Sequence, residues 1–165
     1  PIINGWEVPS CSVGTYTYTE QPDGARHEGE VFVECLEDEA YLTLYDHQSL
    51  SMEYQGPYYV KPGEVWVMGD NRHNSHDSRM WFGGTGGGVP FENIKGRALF
   101  VWLSVSDTID WSRMFAPVMG RPPSHGPFPG MNPSLKALEP AVEKCLRERP
   151  PLDKTSPPPS SATIR

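Results

Sequence analysis

Proline spacing limits this chain more than any other feature. Downstream of Phe115 it recurs at Pro117, Pro122, Pro123, Pro127, Pro129, Pro133, Pro140, Pro150, Pro151 and Pro157 to Pro159. Each proline lacks a backbone donor and fixes φ, so long regular elements cannot run through that stretch. Aromatic residues, by contrast, are plentiful between Trp6 and Phe128. The chain has room for one ordinary domain. We expect a β-rich body over residues 1–111, followed by a proline-rich extension over residues 112–165. The extension holds one candidate helix, from Ser134 to Arg149. Ser134 can cap it, and Leu138, Val142, Cys145 and Leu146 repeat at helical spacing. Pro140 should kink this helix or delay its start, and Pro150-Pro151 should stop it. Beyond that, Pro157-Pro158-Pro159 among serines and threonines has the composition of a disordered end.

Within the body the signals are those of strands. Asn4-Gly5 between Ile2-Ile3 and Trp6-Glu7-Val8 predicts a tight hairpin, because both turn residues tolerate positive φ. A second turn is expected at Pro22-Asp23-Gly24. Glu30 to Leu36 alternates, with Val31, Val33 and Cys35 on one side, and Ala40 to Tyr45 is expected to return beside it after an acidic turn at Glu37-Asp38-Glu39. Pro62-Gly63 precedes a strand predicted at Val65 to Met68. The run Gly83 to Gly88 reads as a flexible bulge. Ala98 to Leu103 is apolar on both faces, the pattern of a central, buried strand. The fold class expected is therefore all-β, mainly antiparallel, with irregular loops and a proline-rich tail.

Charge and cysteine content narrow the function. The net charge is -7, and no dense basic cluster exists to meet a phosphate backbone, so no nucleic-acid partner is expected. No apolar run approaches the ~20 residues of a membrane span. His73 and His76 are close together but lack Cys-x-x-Cys company, so neither a metal nor a cofactor is expected. Of Cys11, Cys35 and Cys145, the first two lie in the body and are the expected pair if the chain meets an oxidising compartment; three free thiols are the alternative.

The most informative stretch is Met68 to Arg79, which follows an apolar segment directly. It holds two each of Asp, Asn, Arg, Ser and His. Carboxylates beside guanidiniums can pair in fixed geometries and stiffen a loop. On composition alone, a salt-bridged turn with no chemistry explains it as well as an active site does.

Gly69-Asp70-Asn71-Arg72-His73-Asn74-Ser75-His76-Asp77-Ser78-Arg79 resembles the box Gly-Asp-Asn-Arg-Asp-Asn-Ser-x-Asp-Ser-Arg of bacterial type I signal peptidases. His73 departs from it. Trp81-Phe82-Gly83, Val89-Pro90, Asn93-Ile94 and Gly96-Arg97-Ala98 continue the likeness, with Gly84 to Gly88 as an insertion. Lys61 to Ser104 resembles the family closely and Ile3 to Asp46 more loosely; the proline-rich tail does not.

In that family a serine attacks the scissile carbonyl, and a lysine kept neutral by burial is the general base. The resemblance implies supporting roles here. Ser75 would orient the lysine amine, and Asp77 with Arg79 would form an ion pair anchoring the loop. Asp70 would pair with a basic residue beside the lysine, and Gly69 would leave room near the amine. The family's Ser-Met-x-Pro motif is not found. Ser51-Met52 continues Glu53-Tyr54, and its nearest downstream lysine, Lys61, sits on a Pro-Gly turn expected to be exposed. We therefore expect the nucleophile and base to lie upstream, and this chain alone to be inactive. The implied parent is a membrane-bound serine endopeptidase acting on signal-peptide-bearing preproteins. It would be attached to the cytoplasmic membrane with this part on the periplasmic, extracytoplasmic face. The alternative is a non-catalytic β domain serving as scaffold or interaction partner.

Overall fold

The computed structural model describes residues 1–20, 24–36, 39–47, 55–105, 109–118 and 133–148. The turn residues Pro22, Asp23, Glu37 and Asp38, the Ser51-Met52 pair and the C-terminal end from Arg149 lie outside these. The described chain is dominated by short antiparallel sheets, as expected. β1 (Ile2–Ile3) pairs with β2 (Trp6–Glu7) through a turn with Asn4 at φ 52° and Gly5 at φ 82°, the geometry that Asn-Gly favours. β3 (Ser10–Thr19), β4 (Arg26–Leu36) and β5 (Glu39–Asp46) form a three-stranded sheet in that order. Alternation along β4 buries Gly29, Val31, Val33 and Cys35 on one face. β6 (Glu64–Val65) pairs with β7 (Val89–Pro90).

The chain divides into two compact units. One comprises residues 1–14, 32–42 and 99–165. Among the described residues its buried side chains are Val8, Val13, Val33, Cys35, Ala40, Val142 and Cys145, with Glu34 as the polar exception. The C-terminal helix begins as a 3-10 segment, Pro133–Leu138, and becomes α-helical as α1 (Glu139–Glu148). Pro140 thus sits at the junction where the 3-10 segment gives way to the α-helix and the hydrogen-bond pattern changes. Val142 and Cys145, three apart, share the buried face of α1. Leu138 reaches the β3 strand at Gly14, where a Cβ would come within 2.9 Å of its methyl group.

The disulfide joins Cys11 to Cys145 (Cα–Cα 6.1 Å), and Cys35 is a buried free thiol, so the expected Cys11–Cys35 pair does not form. The reason lies in strand register. The Cys35 amide donates to Pro9 O (2.9 Å), which places Cys35 opposite Pro9 and diagonal to Cys11. Diagonal neighbours stand about 7–8 Å apart, beyond disulfide reach, whereas α1 brings Cys145 directly over Cys11.

Ala98 to Leu103 is not a buried central strand either. It forms a bridge only at Phe100↔Pro117 among the described residues, and Trp102 is 71% exposed. Val101 exchanges backbone hydrogen bonds with Phe115 and Ala116 (2.7 and 2.8 Å), so the chain folds back on its own downstream segment. An apolar run records a preference for burial but does not supply the facing layer.

Gly83 to Gly88, expected to be a flexible bulge, is a packed turn. The Gly87 amide donates to Ser78 O (2.9 Å). Gly86 (φ 84°) lies against the Tyr58–Trp66 ring pair, where a Cβ would stand 2.6 Å from Tyr58 and 2.7 Å from Trp66. Gly86, Gly87 and Gly88 serve close approaches that a side chain would block, whereas Gly83 and Gly84 face open space and serve the turn through their positive φ.

Candidate functional site

The second unit comprises residues 15–31 and 43–98 and contains the whole Met68 to Arg79 segment. The strand predicted over Val65 to Met68 stops at Val65, and the chain beyond is held by side chains of the polar segment instead. The Val67 amide donates to Ser78 Oγ (3.0 Å), and the Ser78 amide donates back to Val67 O (3.2 Å). Two residues on, the Gly69 amide donates to Asp77 Oδ2 (2.8 Å). A backbone bridge ties the start of the segment to β5: Leu44 N to Asp70 O at 2.9 Å, and Arg72 N to Leu44 O at 2.8 Å.

Asp77 and Arg79 form the centre of the loop. Arg79 Nε donates to Asp77 Oδ1 (2.8 Å) and Arg79 Nη2 to Oδ2 (2.7 Å), a two-pronged pair, while the Arg79 amide also donates to Oδ1 (3.1 Å). Asp77 is 5% exposed, Arg79 9% and Ser78 fully buried. Burial alone would push the Asp77 carboxyl up. The Arg79 guanidinium, the Gly69 and Arg79 amides and the Ser75 hydroxyl outweigh it and hold the group well below the usual carboxylate range. Arg79 moves the opposite way: its bond to Asp77 raises it further despite desolvation. Asp77 is therefore an anion at any ordinary pH. Its oxygens are occupied by donors, so it serves as an anchor and not as a proton-transfer group.

Ser75 stands directly over Gly69. A Cβ on Gly69 would collide with Ser75 Cβ and Oγ, so no larger residue fits unless Ser75 moves. The Ser75 amide closes a turn onto Asn71 O (3.0 Å). Asp70 is exposed, with Oδ1 accepting from the Asn71 amide (2.9 Å). The structure thus brings Gly69, Ser75, Asp77 and Arg79 together and leaves Asp70 at the surface. His73 is half-buried: its Nδ1 lies 2.8 Å from Asp46 O, and its ring meets Tyr45 edge-on at 5.2 Å. Lys61 is exposed on its turn, as expected.

Sequence reading missed a second set of polar groups in this unit. Tyr18, Glu20, His27 and Asp46 converge on Asn71 and Asn74. No local motif marks them, because they come from β3, β4, β5 and a connecting turn.

The family described as "Signal peptidase, peptidase S26" matches residues 3–103. The chain belongs to that family. Among relatives of this signal peptidase family chain, Signal peptidase I of Rickettsia akari is 34% identical over 116 residues, covering 66% of this chain and 40% of the relative. Thylakoidal processing peptidase 1, chloroplastic, of Arabidopsis thaliana is 40% identical over 85 residues, covering 50% of this chain and 22% of the relative. Signal peptidase I of Haemophilus influenzae is 28% identical over 121 residues, covering 64% and 32%. The chain therefore spans less than half the length of each of these relatives. Among the described residues no helix is long and apolar enough to cross a membrane.

Proposed function

We propose that this chain is the downstream β portion of a membrane-bound serine endopeptidase that removes signal peptides from exported preproteins. Its nucleophilic serine and general-base lysine would lie outside the residues given. In this reading the Gly69 to Arg79 loop supports the base. Ser75 would hold the lysine amine by a hydrogen bond and so aim it at the serine hydroxyl. Its acceptor capacity suits a neutral amine, which still carries N–H donors. Gly69, with no side chain, lets Ser75 pack directly against the backbone and would leave room for the backbone near that amine. Exposed Asp70 is available to a basic residue on the neighbouring strand, and the Asp77–Arg79 pair keeps the loop from shifting. Positioning of this kind matters because a small displacement of a general base costs much of its effect.

The observation that carries the reading is the Asp77 carboxylate, which holds the Gly69 amide and the Arg79 fork at once, with the Ser75 side chain packed against Gly69 beside it. A salt-bridged turn with no chemistry would not need a hydroxyl packed against a glycine at its centre. The test is to recover the native protein from source-cell membranes with an antibody against this segment. Its mass and N-terminal sequence would be read, and it would be assayed against a preprotein with small residues before the cut. A larger, membrane-borne species that cleaves, beside an inactive 165-residue chain, is the expected result. Cleavage by the chain alone would refute the placement of serine and lysine elsewhere. A native form with no activity would favour a scaffold role.

A further inference from the structure

The polar groups missed by sequence reading form a closed circuit around the turn that carries Ser75. His27 in β4 lies between two carboxylates, with Nδ1 2.7 Å from Asp46 Oδ2 and Nε2 3.1 Å from Glu20 Oε2. The Tyr18 ring stacks on the His27 ring at 5.2 Å and 17°. Its hydroxyl donates to Asp46 Oδ2 (3.0 Å) and accepts from Asn71 Nδ2 (3.0 Å). Asn74 Nδ2 donates to Glu20 Oε1 (3.0 Å), which returns the circuit to its start. The Asn71–Ser75 turn is therefore held from outside at Asn71 and Asn74, and at His73 through Asp46 O.

This circuit is directional. Tyr18 is raised above the ordinary phenol range, by burial first and by Asp46 in addition, against the opposing Asn71 bond. Its hydroxyl therefore stays a donor toward Asp46 and presents a lone pair to Asn71. Asn71 Oδ1 is buried with no partner among the described residues, so the bond from Nδ2 to Tyr18 is the contact that orients this amide. Directional hydrogen bonds of this kind fix one geometry more sharply than apolar contact does.

We propose that Tyr18, His27 and Asp46 are positioning residues that set the Asn71–Ser75 turn, and through it the place of the Ser75 hydroxyl. The consequence for cleavage rests on the reading of Ser75 given above. Tyr18→Phe is the sharpest probe, since it removes one oxygen and keeps the ring on His27. In this chain, amide hydrogen exchange at Ser75 should become about five- to tenfold faster, the scale of one lost buried hydrogen bond. The Gly69 amide, held by Asp77, should exchange as before. Asn71→Ala should give the same effect, and combining the two should add little, because both cut one path. Unchanged Ser75 exchange in Tyr18→Phe, or equal acceleration at Gly69, would overturn the proposal. So would effects of the two variants that simply multiply. In the native full-length protein, Tyr18→Phe should lower kcat with KM unchanged and cause no further loss in a Ser75→Ala background. A native protein that cleaves no preprotein would sink the peptidase reading and leave the exchange result to decide the circuit.

Discussion

The two compact units differ most in what they bury. Among the described residues of the unit of residues 1–14, 32–42 and 99–165 the buried side chains are small and apolar except for Glu34, and the Cys11–Cys145 disulfide closes the unit. Among the described residues of the unit of residues 15–31 and 43–98, Val31 is the one with a buried apolar side chain. Thr43, Asp46, Arg72, Asp77, Ser78 and Arg79 are the buried polar ones. Apolar burial is non-directional and tolerates small adjustments. Polar burial is stable only while every partner is in place, and then it specifies one geometry. On the proposed role of Ser75, a loop that holds a hydroxyl in place belongs in the second kind of environment. The contrast therefore separates a region built to stay together from one built to stay aligned.

The largest break in this contrast should come from Asp77→Ala. It leaves the Arg79 guanidinium buried without its partner, a change that costs about 3–5 kcal/mol in comparable buried pairs. Urea unfolding followed by tryptophan fluorescence would measure it. The same pair predicts the acid limb of stability. Asp77 is depressed in the folded chain relative to about 3.9 unfolded. Its contribution is thus complete above about pH 4 to 5 and is lost as pH falls through the lower folded value. Asp77→Asn should flatten that limb, and an unchanged acid profile would argue that the pair does not form.

Next in size is the apolar unit's staple. Cys145→Ser opens a loop that spans 134 residues of sequence, and removing a native disulfide costs about 2–5 kcal/mol. The loss should appear as faster amide exchange along α1 and at Val13, with the Gly69 amide still protected. If Gly69 were deprotected as much as α1, the two units would not be separable in stability. Gly69→Ala tests the polar unit from the other side. The new methyl meets Ser75, and overpacking of this kind costs about 1–3 kcal/mol. Ser75 should yield first, because Asp77 and Arg79 are fixed by several bonds each. A Gly69→Ala chain with unaltered Ser75 exchange would mean the contact is looser than its geometry.

What was legible in the sequence follows the same division. Alternation at Val31, Val33 and Cys35 and the Asn4-Gly5 turn are local signals, and both led to the observed strands. Pro140 is local too, and it marks where the helix turns α-helical. The close pairing of Asp77 with Arg79 was legible because the partners are two residues apart within a recognisable box. Contacts between distant segments were not. Cys145 reaches Cys11 only through the docking of a helix that sequence can place on a line but not in space. Tyr18, His27 and Asp46 are ordinary strand residues until three strands bring them beside Asn71. Ala98 to Leu103 misled for a related reason: its apolarity is real, but burial depends on a partner layer that no local pattern names.

The smallest expected effect bounds the comparison from below. Arg147 lies 4.0 Å from Glu143, one turn away on the outer face of α1, and both side chains are more than half exposed. Water screens such a pair, and holding two long side chains together costs entropy. Glu143→Gln should therefore change stability by less than about 0.5 kcal/mol, as for other exposed i,i+4 pairs, with Tm nearly unmoved in a thermal scan. The charges of Asp77 and Arg79 are only two residues apart in sequence, yet their predicted worth is several times larger. The difference is not in the ions but in the water that burial removes and in the number of donors that replace it. A Glu143→Gln effect as large as that of Asp77→Ala would mean that ion pairing alone sets these energies. The contrast between a buried, fully occupied carboxylate and an exposed one would then lose its basis.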